Sequence, residues 1–394
     1  MSLKEQLFEK IDAKTERMID IRRYLHEHPE LSFEEEKTGQ YIVDFYKDLP
    51  HDGIETNVGG MNGSVVTIQG GQAGPTIALR ADFDALPIQE DTGLPFASKV
   101  DGVMHACGHD GHTAYLLILA ESLIELKDQI KGTVKIVHQP AEEVSPGGAK
   151  TILESGLLDD VEAMFGIHVM TNAQTGIVQV RKGNVQTGRS NFSMTVRGKS
   201  GHGSSPHQAN DAIVAAAAFV TNVQSMISRR IDPFDMAVFT IGNFDGTGQA
   251  NVINDHVQLD GDVRTMSTQA SETIMKYMHH FADGIREMYQ VDVDLDFAYD
   301  YPVLHNDEGV TERVWKALED MNVPGVELEE SPKQAPSEDF AFYAEKIPAT
   351  FFYVGCTPEG QEAFPHHHPK FFMDEQALTI SVKAMATVVD EFVG

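Results

Sequence analysis

"SNFSMTVRG" (Ser190–Gly198), followed after a glycine-rich loop by "ANDAIVAAAAFVTNVQSMISRR" (Ala209–Arg230), decides the fold. The first run alternates apolar and polar residues at the period of a half-buried strand, and the second is an alanine-rich helix. Two further strand patterns follow, "MAVFTIGNF" (Met236–Phe244) and "HVQLDGDVRT" (His256–Thr265). Then comes a helix, "SETIMKYMHHFADGIREMY" (Ser271–Tyr289), and a closing strand, "VDVDLDFAYD" (Val291–Asp300). The order β-α-β-β-α-β is that of a ferredoxin-like α+β sandwich, complete in itself in the middle of the chain.

On either side the pattern is different. "KEQLFEKIDAKTERMIDIRRYLHEHPE" (Lys4–Glu30) has helical spacing up to Pro29, and short strands follow in "SVVTIQ" (Ser64–Gln69) and "TIALRADFDALP" (Thr76–Pro87). "TAYLLILAESLIELKDQI" (Thr113–Ile130) reads as a buried helix, with strands in "GTVKIVHQP" (Gly132–Pro140) and "VEAMFGIHV" (Val161–Val169). After Tyr301 the helix–strand–helix style returns, with "GVTERVWKALEDM" (Gly309–Met321), "ATFFYVGC" (Ala349–Cys356) and a last helix from Asp374. Strands alternating with helices predict a mostly parallel sheet covered on both faces. The expectation is an α/β domain in two pieces, 1–187 and 301–394, interrupted by an inserted α+β domain, 188–300.

Composition narrows the function. Sixty acidic against thirty basic side chains give a net charge of −30, which repels nucleic acid. An anionic substrate would need a local cation to capture it. No apolar run approaches the roughly 18 residues of a membrane span. With two cysteines and no secretory leader pattern, the cytoplasm is the expected compartment.

The chemistry-bearing residues gather just after predicted strands. In "MHACGHDGHT" (Met104–Thr113), Cys107 and His109 lie two apart, as on one side of an extended segment, with Gly108 allowing a tight turn. The helix that follows favours a thiolate through its positive end. Glu142 and Glu143 follow the Pro that ends a strand, His168 closes "AMFGIHV", and "PHHHPKF" adds His366, His367 and His368. "LRADFDALP" supplies Asp82 and Asp84 at another strand end, as a further ligand or as an orienter of one. Each has an ordinary structural explanation alone. Together, at the strand ends where α/β sheets bind ligands, thiolate, imidazole and carboxylate suit a borderline divalent ion, and their number suggests two. Two rivals remain open: a thiol hydrolase with Cys107 as nucleophile and His109 or His112 as base, and a non-catalytic metal-binding protein.

The motifs "RADFDALP", "MHACGHDGHT", "QPAEE", "GIHV", "GKSGHGSSPH" and "HHPKF", in this order, resemble the aminoacylase-type metallopeptidases, in their hippurate and indole-acetyl-amino-acid hydrolase branch. The resemblance implies a catalytic domain with two divalent ions per subunit (zinc or manganese, with cobalt or nickel as alternatives) and an inserted lid domain through which a homodimer forms. It implies Cys107, His109, Glu143, His168 and His367 as metal ligands, with Cys107 bridging and the choice among the three C-terminal histidines open. It makes Glu142 the general base, Asp84 a support residue, and His202 of "SGHGSSPH" the donor to the oxyanion. Asn251 and Arg264 would hold a substrate carboxylate. The implied reaction is hydrolysis of an N-acyl amino acid to a carboxylic acid and a free amino acid.

Overall fold

The computed structural model describes all 394 residues. Contacts divide the chain into two compact units: Met1–Gly183 with His305–Pro332 and Asp339–Gly394, and Asn184–Leu304 with Lys333–Glu338. The sequence placed the cuts after 187 and 300 and left the short return segment 333–338 in the closing α/β piece.

The first unit is built on an eight-stranded sheet. Its order is Gly53–Val58, Gly63–Gln69, Lys131–Gln139, Gln72–Asp82, Ala163–Gln174, Ala349–Thr357, Ile177–Val180 and Glu327–Glu330. The four central strands run parallel and the flanks are mixed, so the fold is α/β on a mostly parallel sheet. Ala349–Thr357 is buried at every position, as expected of a strand covered on both faces. Phe352 and Val354 point into the main core, while Phe351 packs tilted against Phe340 and meets Tyr353 edge to face.

The helix His109–Glu125 is buried at every residue but the last and packs against Gln376–Val393 and the central strands. It begins four residues earlier than its apolar run, so His109 lies in its first turn. The N-terminal stretch forms two helices, Leu3–Ala13 and Thr15–Glu27, because Lys14 leaves helical geometry between them. A third helix, Glu36–Tyr46, was not anticipated. No helix is long and apolar enough to cross a membrane.

The second unit contains a four-stranded antiparallel sheet ordered Ala237–Asp245, His256–Thr265, Gly188–Arg197 and Asp292–Tyr301. With the helices Ala212–Arg230 and Thr268–Tyr289 this is the ferredoxin-like arrangement. Its separate core is built on Phe192, Met194, Phe219, Leu259 and Met278. Short hydrogen bonds from Thr187 and Arg264 tie Lys333–Glu338 into this unit: Thr187 Oγ1 donates to Ala335 O at 2.6 Å and Arg264 Nη1 to Ser337 Oγ at 3.0 Å.

Candidate metal centre

Parallel strands open their carboxyl ends on one edge, and the candidate residues of the first unit gather there. Gln72–Asp82 delivers Asp82 and, two residues on, Asp84. Lys131–Gln139 leads through Pro140 and Ala141 to Glu142 and Glu143, with Ala141 in the left-handed region at φ 54°. His168 lies within Ala163–Gln174 and not at its end, a correction to the sequence reading. Pairing with Gln72–Asp82 stops at Gly166, so His168 still clears its neighbour on that side.

Cys107 and His109 do not share an extended segment either. Gly108 turns the chain at φ 91° into the helix, and a Cβ there would meet Val169 at 2.4 Å.

The donor atoms of Cys107, His109 and His168 lie within 4.8 Å of one another. So do those of Cys107, Glu143 and His367, and those of His109, Glu142 and Glu143. Cys107 therefore sits where two donor sets meet. His109 Nδ1 faces Asp84 Oδ1 at 3.0 Å, which fixes its tautomer and turns Nε2 inward. That Nε2 is buried and has no hydrogen-bond partner. Glu143 Oε1 is buried too and lies 3.2 Å from His367 Nε2. Asp84 Oδ2 accepts the Glu143 N–H at 2.9 Å and the Ser32 hydroxyl at 2.7 Å.

Electrostatics point the same way. Burial works against a charged His109, yet Asp82, Asp84 and Glu143 outweigh it and raise its pKa to about 10. The pocket thus holds a positive charge where it can. Burial, with Glu143 and Glu142 beside it, pushes the Cys107 thiol well above its ordinary value. The helix end was expected to favour a thiolate, but two neighbouring carboxylates and desolvation overcome it. Burial also holds His168 well below the usual histidine range.

Of the three C-terminal histidines, His367 alone faces Cys107 and Glu143. It too has a positive φ, 64°, and its N–H bonds to Ala106 O at 2.9 Å. His366 is buried against His168 and its Nε2 accepts the Thr171 N–H at 3.3 Å. His368 Nδ1 accepts the Lys370 N–H at 3.0 Å. His112 has both nitrogens committed, Nδ1 to Asp82 at 2.7 Å and Nε2 to the Val169 N–H at 3.0 Å. Asp82 is held besides by Arg80 at 2.6 Å.

His202, Asn251 and Arg264 lie in the second unit. Val252 pairs with His202, and Asn251 O accepts the Gly203 N–H at 2.8 Å. His202 is exposed, and its Nδ1 accepts from the Ser204 N–H at 3.2 Å, which leaves the proton on Nε2. Arg264 donates from Nε to Asp262 at 2.8 Å and from Nη1 to Ser337 at 3.0 Å.

The residues fit a divalent metal. Softness, an inward imidazole nitrogen with no partner, and surplus negative charge are what such an ion requires. Fold and site together define a metal-dependent amidohydrolase. The chain belongs to peptidase family M20/M25/M40, whose profile matches residues 78–391. It is 39% identical over 377 residues to an N-acetylcysteine deacetylase of Bacillus subtilis, covering 94% of this chain and 95% of that protein. Among solved structures, a provisionally named aminohydrolase from methicillin resistant Staphylococcus aureus is 53% identical with a TM-score of 0.96, covering 99% of this chain and 100% of that one. The YXEP protein of Bacillus subtilis, described as a dinuclear metal binding peptidase of the M20 family, is 35% identical with a TM-score of 0.84, covering 96% of this chain and 98% of that one.

Proposed function

We propose that this protein hydrolyses N-acyl amino acids with two divalent ions held by Cys107, His109, Glu143, His168 and His367. The observation that carries this reading is the inward, unpartnered His109 Nε2 beside Cys107 and Glu143, with Glu142 next in the chain. When bound, such ions supply an acidified water and a Lewis acid for the amide carbonyl. Glu142, within 4.8 Å of both His109 and Glu143, takes the proton of the attacking water and returns it to the leaving amine. Asp84 keeps His109 and the backbone of Glu143 in place. His202, protonated on Nε2, donates to the developing oxyanion. Arg264 and Asn251 take the substrate carboxylate; with Nε and Nη1 of Arg264 committed, Nη2 remains to meet it.

The deacetylase name of a full-length relative supports an N-acyl substrate. The raised thiol of Cys107 argues against a cysteine nucleophile. We further assign the protein to the cytoplasm, on its two free buried cysteines, and to a homodimer formed through the inserted unit. There the edge strand Ala237–Asp245 exposes Val238 and Phe244, and the helix Ala212–Arg230 exposes Ile213 and Val214. The test is metal content together with hydrolysis of an N-acyl amino acid panel before and after chelation. About two ions per chain, with activity lost on chelation and restored by zinc or manganese, supports the reading. Turnover by metal-free protein rejects it in favour of the thiol route. Bound metal that survives Glu142→Gln, with no turnover by either form, supports a non-catalytic metal protein.

A further inference from the structure

The loop Leu31–Glu35 precedes the unanticipated third helix and plays no part in the chemistry described above. Three of its contacts nevertheless lead to the metal centre. Leu31 bridges to Ala85, Ser32 donates to Asp84 Oδ2 at 2.7 Å, and Glu35 Oε1 accepts the Ala141 N–H at 2.8 Å. Glu35 is fully buried, and its Oε2 has no hydrogen-bond partner. A carboxyl group desolvated for one amide contact is costly unless that contact matters.

The obvious alternative, that Glu35 caps the helix Glu36–Tyr46, fails. Glu30 does this, accepting the N–H groups of Thr38 at 2.8 Å and Lys37 at 3.2 Å. The Glu35 side chain makes no cap hydrogen bond.

What it holds is Ala141, a non-glycine residue at φ 54°, a conformation that costs about 1 kcal/mol or more and needs external support. The Glu142-Glu143 pair starts directly after this residue. Two amides of this segment are thus held by buried carboxyl groups, that of Ala141 before the pair by Glu35 and that of Glu143 within it by Asp84.

We propose that Glu35 is a positioning residue of the catalytic site: its buried carboxyl fixes the left-handed turn at Ala141 and so sets where Glu142 and Glu143 point. Burial and the nearby Asp84 raise the Glu35 pKa to about 8, which agrees with a neutral acid whose carbonyl oxygen accepts the amide. Glutamine therefore reproduces the contact, and an apolar side chain of the same size removes it.

The inference rests on Glu142 acting as the base, so the test reads the turn directly as well as through turnover. Full-length Glu35→Met and Glu35→Gln are compared with the parent chain by amide hydrogen exchange of peptides covering 139–148, by metal content, and by kcat and KM on an N-acyl amino acid. Glu35→Met is expected to exchange about tenfold faster at this turn and to lose roughly 10- to 100-fold in kcat, with KM within about threefold, since a displacement of about 1 Å at a reacting group costs up to 10²-fold. Glu35→Gln is expected to match the parent in exchange and stay within about threefold in kcat. Parent-like exchange and kcat in Glu35→Met overturns the proposal, and so does an equal loss in both variants. Should Glu35→Met not fold, Glu35→Leu repeats the comparison. If the parent chain itself turns over no N-acyl amino acid, the functional reading has failed, while the exchange data still decide whether Glu35 holds the turn.

Discussion

His109 and Asp110 are neighbours in the first turn of one helix, yet they belong to two polar clusters of opposite kind. Asp110 enters a network matched in charge: its Oδ2 meets Arg22 Nε at 2.7 Å and His26 Nδ1 at 2.9 Å, while its Oδ1 and Arg22 Nη2 make no hydrogen bond. Arg22 also reaches Glu375, and His26 reaches Glu90. Here basic and acidic groups answer one another, and burial works against Asp110's charge less than Arg22 and His26 support it. His109 enters the other cluster, where Asp82, Asp84, Glu142, Glu143 and Cys107 converge and the imidazole has its inward nitrogen, Nε2, without a hydrogen-bond partner. The first cluster holds structure together. The second gathers acidic groups whose charge a metal ion would offset.

That contrast can be broken by exchanging the roles. The largest effect is expected from His109→Ala: kcat falls at least about 10³-fold, and the rise in Tm on adding metal, which follows from binding to the folded state, shrinks or disappears. Calorimetry with and without a divalent ion checks this. Asp110→Asn is expected to start about 3 kcal/mol less stable, since buried Arg22 loses its closer counter-charge and keeps only Glu375, yet to keep the metal-dependent rise in Tm. If Asp110→Asn lost metal and His109→Ala lost only stability, the division would be wrong.

A smaller effect separates core histidines from site histidines. His138, bonded to Tyr46 at 2.8 Å, has its pKa lowered to about 3 by burial alone. Between that value and the unfolded value near 6.5 the unfolded chain binds a proton that the folded one does not, so stability falls as pH falls through this window. His138→Gln should remove about one proton from the uptake on unfolding near pH 5, read from the pH dependence of denaturant midpoints. The smallest effects lie in the C-terminal trio. His367→Gln is expected to weaken metal binding by 10-fold or more and His368→Gln to leave it unchanged, as measured by titration with zinc.

Much of this was legible in the sequence because it depends on local pattern. Period-two runs and an alanine-rich helix pointed to the inserted sandwich, and the Cys-x-His turn with the strand-end position of Glu142 and Glu143 pointed to the cluster. Ser32 and Glu35 were not legible. Their partners are 52 and 106 positions away, and "LSFEEE" reads as solvated acid in a chain of such charge. The carboxylates beside the thiol were hidden for a similar reason: the helix end is visible locally, while Glu142 and Glu143, which raise the Cys107 pKa, arrive from another strand. Nor could spacing separate His366, His367 and His368, since the facing of His367 toward Cys107 and Glu143 goes with its positive φ and the anchoring of its N–H on Ala106.

The return of Lys333–Glu338 to the second unit has a consequence for anyone wishing to transplant that unit. The chain changes unit at four points, so the insertion is not a single cassette. Cutting out 184–304 and closing the gap would strand a six-residue strip whose hydrogen bonds to Thr187 and Arg264 had gone. Moving 184–304 alone into a new host would leave Arg264 without Ser337. A graft that keeps this arginine's setting has to carry both segments, with the strip supplied as a separate splice.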